Sequence, residues 1–398
     1  MTNIGSVVFY KCKNLTSIII PNRVTNIGDN TFSDCENLIS ITIPDSVTII
    51  GDMAFCRCTG LTEIKIPDGI TSISSHAFYG CESLTSVTIP DNVTTIGGRA
   101  FSNCTNLTSI TIPDSVTNIE YGAFSSCTSL KEITIPDNVT IIGDNAFSDC
   151  KKLTSINIPD NVTYIGFCAF SRCKNLTSVT IPESVTTFGS GAFSDCENLT
   201  SVILPNTITS IGDGTFGYCE NLTSITIPDS VTNIGYLAFH SCANLKEITI
   251  PNSVTNIGYN AFAECESLTE ITILNPDCEI DEIDGTISNG SNYDDLTETF
   301  ESYFNGTIYG YENSTAQAYA EKYGYKFESL GKAPEQNTAT GDMNGDNEFN
   351  ISDVVIFQKY ILSGSDTEIS DWKQADFTGD GVLDVFDLVM MRKKLIEK

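Results

Sequence analysis

Apolar residues in most of this chain fall in short alternating runs, not in long helical stripes. In Leu107-Thr-Ser-Ile110-Thr-Ile112-Pro113 the alternation ends at a proline, which predicts a short strand closed by a turn. Val116 and Ile119 predict a second extended piece. The Ala123-Phe124 pair before Cys127 predicts a tight turn or a single helical turn. No such piece is long enough to bury its own apolar face, so each must lie against a neighbour of the same kind.

The neighbours are present in the sequence. Cys12, Cys35, Cys58, Cys81, Cys104, Cys127, Cys150, Cys173, Cys196, Cys219, Cys242 and Cys265 recur with a period of 23 and without a slip. Phe precedes each by three residues, from Phe9 to Phe262, and Leu follows each by three, from Leu15 to Leu268. A fixed period of this length predicts a solenoid of twelve turns over 1–275, with in-register parallel strands. The unit Leu-x-x-Ile-x-Ile-Pro-x-x-Val-x-x-Ile-Gly-x-x-Ala-Phe-x-x-Cys resembles the BspA-like leucine-rich repeats of bacterial surface proteins. The resemblance implies an exported or cell-surface solenoid used in adhesion or protein recognition, and it brings no catalytic residue. Ser74 and Glu120 depart from it in place of Gly, and Phe188 in place of Ile.

Three columns of the repeat invite chemistry. The cysteines read as a ladder of buried thiols, because in-register side chains point in parallel and a disulfide needs converging Cβ atoms. Zinc needs four ligands meeting at one point, which a linear array does not offer. Cys56, Cys168 and Cys278 fall off the column, with no partner evident. So many thiols on an exported chain suggest a reducing habitat. The Asp or Glu after most repeat prolines (Asp45, Asp68, Asp91, Asp114, Asp137, Asp160, Glu183 and Asp229), replaced by Asn at 22, 206 and 252, reads as turn chemistry, with a cation-binding stripe as the sharper alternative. Outward Thr and Ser ladders such as Thr88, Thr111 and Thr134 are good strand formers on a solvated face.

The register fails after Leu274, and 276–330 becomes rich in Tyr and Phe, as a terminal cap requires. Ser314 and Gln317 have capping-box spacing, predicting a short helix from Thr315 to Tyr323 stopped by Gly324. Residues 331–340 read as a linker.

The last segment, 341–398, holds the metal chemistry. Asp342, Asn344, Asp346, Asn350 and Asp353 occupy positions 1, 3, 5, 9 and 12 of a calcium loop, with the Glu348 carbonyl at position 7. Asp376, Thr378, Asp380, Asp384 and Asp387 repeat the pattern in the same order, with the Val382 carbonyl at position 7. Oxygen-only donors suit a hard cation, and two loops imply two calcium ions. Both position-12 residues are Asp, and the first loop has no entering helix, so the layout is loop then helix, twice. That layout is similar to type I-like dockerins, particularly those of ruminococcal cellulosomes. The resemblance implies calcium-dependent binding to a cohesin domain of a scaffoldin. It assigns the contacts to Ile351, Ser352, Gln358 and Lys359 in the first half, and to Val385, Phe386, Arg392 and Lys393 in the second. The unlike pairs Ile351-Ser352 and Val385-Phe386 argue against a symmetric, two-way mode. The competing reading of Ile351, Val354, Ile361, Leu362, Val385, Val389 and Leu395 is packing between the two helices, and Trp372 reads as core.

The fold expected is therefore α+β: a leucine-rich-repeat solenoid with a C-terminal all-α calcium-binding dockerin. A net charge of -30 argues against nucleic acid or an anionic membrane as partner. No run of 18 apolar residues occurs, so no membrane span is expected. The opening Met1-Thr2-Asn3-Ile4-Gly5 matches Val231-Thr232-Asn233-Ile234-Gly235, so the sequence is expected to begin inside a repeat, with a signal peptide and cap upstream. Function reads as non-catalytic. The dockerin takes a cohesin outside the cell, and the repeats offer a surface to a protein, cell-surface or polysaccharide ligand. The alternative is a dockerin-bearing carbohydrate-active enzyme. Its carboxylates are already accounted for by repeat columns and loops, and His76 and His240 lie in non-neighbouring turns.

Overall fold

The structure is a computed structural model that describes residues 2–281, 285–294, 299–334, 341, 343, 349–363, 375–377 and 383–396. It forms two compact units, 1–330 and 331–398.

In the first unit most turns carry two short strands, and those of Ile133, Ile156 and Ile225 carry only the second. Ser109–Thr111 and Asn118–Ile119 are the pair in the unit read above. Strands pair in parallel with the neighbouring turn one repeat away, Ile110 on Val87 and Ile119 on Ile96. Burial follows the alternation: Ile110 points inward while Ser109 and Thr111 face solvent. Between the strands the chain turns at proline, with the Val116 N–H donating to the Pro113 carbonyl at 3.0 Å.

The arc from Gly to Cys is neither strand nor helix. N–H groups at alternate residues donate to the next turn, Asn30 to Asp52, Phe32 to Ala54 and Asp34 to Cys56. Those between them close locally, Thr31 to Gly28, Ser33 to Asn30 and Cys35 to Phe32. The amides of the arc are thereby satisfied, at the cost of two left-handed residues per turn. Met53 (φ 56), Arg57 (φ 56) and Leu237 (φ 54) hold such positions although their side chains disfavour them.

The regular spacing of Gly has a different origin. A Cβ on Gly166 would lie 2.4 Å from the Asp144 nitrogen, so the column marks close approach of adjacent backbones. Where Ser74 replaces Gly, its hydroxyl donates to the Ile50 carbonyl at 2.5 Å. Where Glu120 does, its carboxylate accepts the Gly98 N–H at 2.9 Å.

Two columns build the core. The twelve Phe rings stack face to face in sequence, from Phe9 on Phe32 (centroids 5.1 Å) to Phe239 on Phe262 (5.3 Å). Each such pair adds about 0.5–1.5 kcal/mol beyond the area it buries. Beside them the thiols are free and, beyond Cys12, buried along the whole column. Each donates to the carbonyl of the Phe in the preceding turn, as Cys127 does to Phe101 at 3.2 Å. The ladder is therefore a row of donors and not only of small apolar groups. Cys56 and Cys168 are half-buried, Cys278 is buried, and all three are free.

Glu183 Oε2 accepts the Asn206 N–H from the next turn at 2.9 Å, but other carboxylates after proline differ from the turn chemistry expected of them. Asp68, Asp114 and Asp137 are exposed and offer their main-chain carbonyls, which accept the side-chain amides of Asn92, Asn138 and Asn161 from the next turn. The Asp residues that accept backbone N–H groups belong to another column: Asp29, Asp52, Asp144 and Asp213, which bond the amides of Asp52, Ser75, Phe167 and Tyr236.

The repeat ends in a built closure. The strand Thr307–Gly310 pairs in parallel with Glu270–Ile273, and Lys326–Ser329 pairs with it in turn, so the ladder runs two strands past the last regular unit. Helix α1, Thr315–Tyr323, lies between them in sequence; the Ser314 hydroxyl accepts the Gln317 N–H and Gly324 closes it at φ 71. Gln317 Oε1 accepts the Asn313 N–H, one residue earlier than a reciprocal box would have it. Phe304 and Tyr319 are buried, and Tyr323, Tyr325 and Phe327 pack on the same core. Buried Asn289 donates to the carbonyls of Cys265 and Leu268, which have no further regular turn beyond them.

Candidate calcium loops and docking face

In the second unit, helix α2 spans Ile351–Ser363 and helix α3 spans Val385–Ile396. They pack through Val354, Phe357, Leu388 and Met391, with Met343, Phe349 and Ala375 in the same core. Loop positions 2 and 8 thus fill the interior: Met343 and Phe349 from the first loop, Phe377 and Leu383 against them from the second.

Both helices begin with the same device. Asn350 Oδ1 accepts the Ser352 N–H at 2.8 Å, and Asp353 Oδ2 accepts the Asn350 N–H at 2.7 Å. In the second copy Asp384 Oδ1 accepts the Phe386 N–H at 2.7 Å, and Asp387 Oδ2 accepts the Asp384 N–H at 3.0 Å. This is a reciprocal capping box in which the residues at loop positions 9 and 12 also start the helix. Asp353 Oδ1 further accepts the Met343 N–H at 2.8 Å, tying position 12 back to position 2. Asp353 and Asp387 are fully buried, each at a helix N-terminus, where the helix dipole favours a carboxylate.

Of the expected calcium donors, Asn350, Asp353, Asp376, Asp384 and Asp387 are described, and Asp376 is half-buried beside Ala375. Asp342, Asn344, Asp346, Glu348, Thr378, Asp380 and Val382 lie outside the described residues, as does Trp372. The donors present, carboxylate and amide oxygens on loops that meet at helix starts, fit a hard cation.

The helix pair corrects one expectation. Val354 is buried, and Ile361 and Leu395 pack on the core, but Ile351, Leu362, Val385 and Val389 face solvent at 65%, 77%, 53% and 57% exposure. Val355, Phe386, Met390 and Ile396 are exposed as well. Ile351, Val355 and Leu362 on α2 recur at the equivalent places of α3 as Val385, Val389 and Ile396, so each helix carries the same apolar stripe beside its buried face. The sequence held this signal, as apolar positions at equal offsets in both halves. Ser352, Lys359, Arg392 and Lys393 are exposed, Gln358 is half-buried, and Arg392 donates to Gln358 at 2.6 Å.

A parallel-stranded solenoid joined to a helix pair that leaves apolar stripes uncovered defines a repeat protein carrying an interaction module. Residues 1–108, 95–221 and 186–285 match the BspA type leucine rich repeat region, and 340–396 match the dockerin type I domain. The chain belongs to the BspA-type leucine-rich repeat family and ends in a type I dockerin. A leucine-rich repeat protein from Bacteroides ovatus is 31% identical, with a TM-score of 0.66, over 83% of this chain and 88% of that one. A leucine rich cell surface protein from Faecalibacterium prausnitzii is 38% identical, with a TM-score of 0.50, over 69% and 83%. No curated protein matches the chain. Repeat and dockerin together indicate a protein-interaction role in a cellulosome-type assembly, built from two non-catalytic kinds of domain. Both kinds are typical of extracellular or cell-surface proteins, and among the described residues no helix is long and apolar enough to cross a membrane.

Proposed function

We propose that residues 341–398 form a calcium-ordered plug that binds a cohesin domain of a scaffoldin, and that the repeats of 1–275, closed by 276–330, carry a recognition surface. The linker 331–340 joins the two. The observation that carries this reading is the repeated exposed stripe, Ile351, Val355 and Leu362 matched by Val385, Val389 and Ile396. Exposed apolar residues at equal offsets on two helices have no use within the helix pair, and their burial against a partner supplies affinity.

Two ions are held by the oxygens of Asp342, Asn344, Asp346, Asn350 and Asp353 with the Glu348 carbonyl, and of Asp376, Thr378, Asp380, Asp384 and Asp387 with the Val382 carbonyl. Bound calcium supplies the positive charge that neutralises clustered carboxylates and fixes each loop to its helix. Ile351, Ser352, Gln358 and Lys359, with Val385, Phe386, Arg392 and Lys393, contact the cohesin. The test is titration of the full chain against a panel of scaffoldin cohesins in calcium and in EGTA. Nanomolar-range binding lost in EGTA is expected, and calcium-independent or absent binding overturns the proposal.

A further inference from the structure

On the outer edge of the solenoid, small residues in two adjacent turns leave a groove between aromatic side chains. Ser190, Gly191 and Ser194 in one turn, and Asp213, Gly214 and Gly217 in the next, line a groove of about 470 Å3. Phe167 and Cys168 wall it on one side, Tyr236 and Leu237 on the other, and Asp195 and Tyr218 border it. Left-handed backbone accounts for Gly191 and Gly214, at φ 65 and 58. Gly217 has no positive φ, but a Cβ there would lie 3.1 Å from the Leu237 carbonyl oxygen. Ser190, like Ser75 and Gly98, is a small residue in a column that carries Tyr121 and Phe167 in other turns. A Cβ on Gly214 would meet nothing within 4 Å.

The walls are aromatic. Phe167, Tyr218 and Tyr236 are 50%, 44% and 45% exposed. Tyr259 stacks on one face of Tyr236 at 5.6 Å from the following turn, which leaves the opposite face toward the groove. Asp213 Oδ1 accepts the Tyr236 N–H and Asp195 Oδ2 accepts the Ser194 hydroxyl, so each carboxylate keeps a second oxygen outside these bonds. Among the described residues no Lys or Arg lines the groove.

This chemistry narrows the occupant. A chain of net charge -30 with two carboxylates in the groove repels anions. Phe167 and Tyr236 stand three turns apart, roughly 14 Å at the parallel-strand spacing. A single cation engages a ring only within about 6 Å of its centroid, so it uses one wall and leaves the other idle. An extended neutral ligand with apolar faces and peripheral hydroxyls uses both.

We propose that this groove binds a short segment of a neutral polysaccharide, with C–H faces on Phe167 and Tyr236 and hydroxyls on Asp195, Asp213, Ser190 and Ser194. This deepens the reading of the repeats as a recognition surface and is independent of the dockerin.

The test titrates the full chain with cello-, xylo- and manno-oligosaccharides of two to six units, by calorimetry and saturation-transfer NMR. One series is expected to bind. Phe167→Ala and Ser190→Tyr, the latter refilling the groove with a residue the repeat accepts at Tyr121, should each weaken it at least tenfold, while Tyr121→Ala leaves it unchanged. Thermal unfolding of each variant separates loss of the site from loss of fold. Absence of binding in all three series, binding indifferent to both groove variants, or a basic peptide binding with the same sensitivity overturns the proposal. Cohesin binding measured on the same samples fails or survives separately, because no groove residue belongs to α2 or α3.

Discussion

The guanidinium of Arg392 donates a 2.6 Å hydrogen bond to Oε1 of Gln358, the residue that holds the same place in the first half. Equivalent positions of the two halves therefore touch, which puts the local two-fold axis of the helix pair between them. The apolar stripes follow the same internal symmetry, but Ser352 opposes Phe386 across it, so the two halves present unequal bulk.

That inequality makes the second half the stronger anchor. Phe386 is 67% exposed and offers a rigid aromatic side chain, the type that dominates interface energetics. Phe386→Ala should weaken cohesin binding by about tenfold or more, near ~1.4 kcal/mol, and Ser352→Ala should change it little. Calorimetric titration checks this; equal losses would mean that both faces are used alike.

The capping boxes give the two buried carboxylates a purpose apart from any ion. Asp353 accepts the N–H groups of Met343 and Asn350, and Asp387 accepts that of Asp384. In EGTA, Asp353→Ala and Asp387→Ala should each lower the stability of the second unit by about 1–2 kcal/mol. Circular dichroism of α2 and α3 on heating reads the loss. No change in EGTA would restrict these residues to metal binding.

Base should unfold the solenoid well before acid does anything to its thiols. Burial pushes the Cys127, Cys196 and Cys265 thiols up to about 12 from an ordinary value of 9.0. Below pH 9 both folded and unfolded thiols hold their protons and stability is unaffected. Above it the unfolded thiols ionise while the buried ones do not, so stability falls as pH rises toward the folded value. Each thiol contributes a loss of about 1.4 kcal/mol per pH unit in that window. Melting temperatures measured from pH 7 to 11 should stay level and then drop steeply; a flat profile to pH 11 contradicts the buried ladder.

The same ladder should be chemically silent until the protein unfolds. Native protein at pH 7.5 should react with an aromatic disulfide reagent only at the few half-buried thiols, Cys12, Cys56 and Cys168, whereas denatured protein should titrate all 15. Cys127→Ala, which removes the donor to the Phe101 carbonyl and leaves a small void, should cost about 1–2 kcal/mol.

Met53 occupies a left-handed position that Asn30, Asn145 and Asn260 hold in other turns. Asn tolerates that backbone better than an unbranched apolar side chain, so Met53→Asn should raise stability by about 0.5–1 kcal/mol. Chemical denaturation reads the change, and a lower midpoint would show that Met53 contributes packing not evident from its 37% exposure.

The fixed period and the alternation around Ile110 and Ile112 were enough to specify turns, parallel pairing, inward and outward faces and the α1 caps, because each depends on residues near in sequence or one repeat away. The spacing of the loop residues and the apolar runs after them likewise marked α2, α3 and the dockerin. Contacts set by how backbones approach in space were beyond the sequence. The thiol-to-Phe carbonyl bonds reach into the preceding turn, the left-handed pairs arise from matching N–H groups to the next turn, and the glycine column answers to a neighbouring backbone. Which apolar residues of α2 and α3 meet, leaving Ile351 and Val385 in solvent, was settled by the crossing of the helices. Periodicity gives a residue its face on an element, and packing alone decides whether that face is covered.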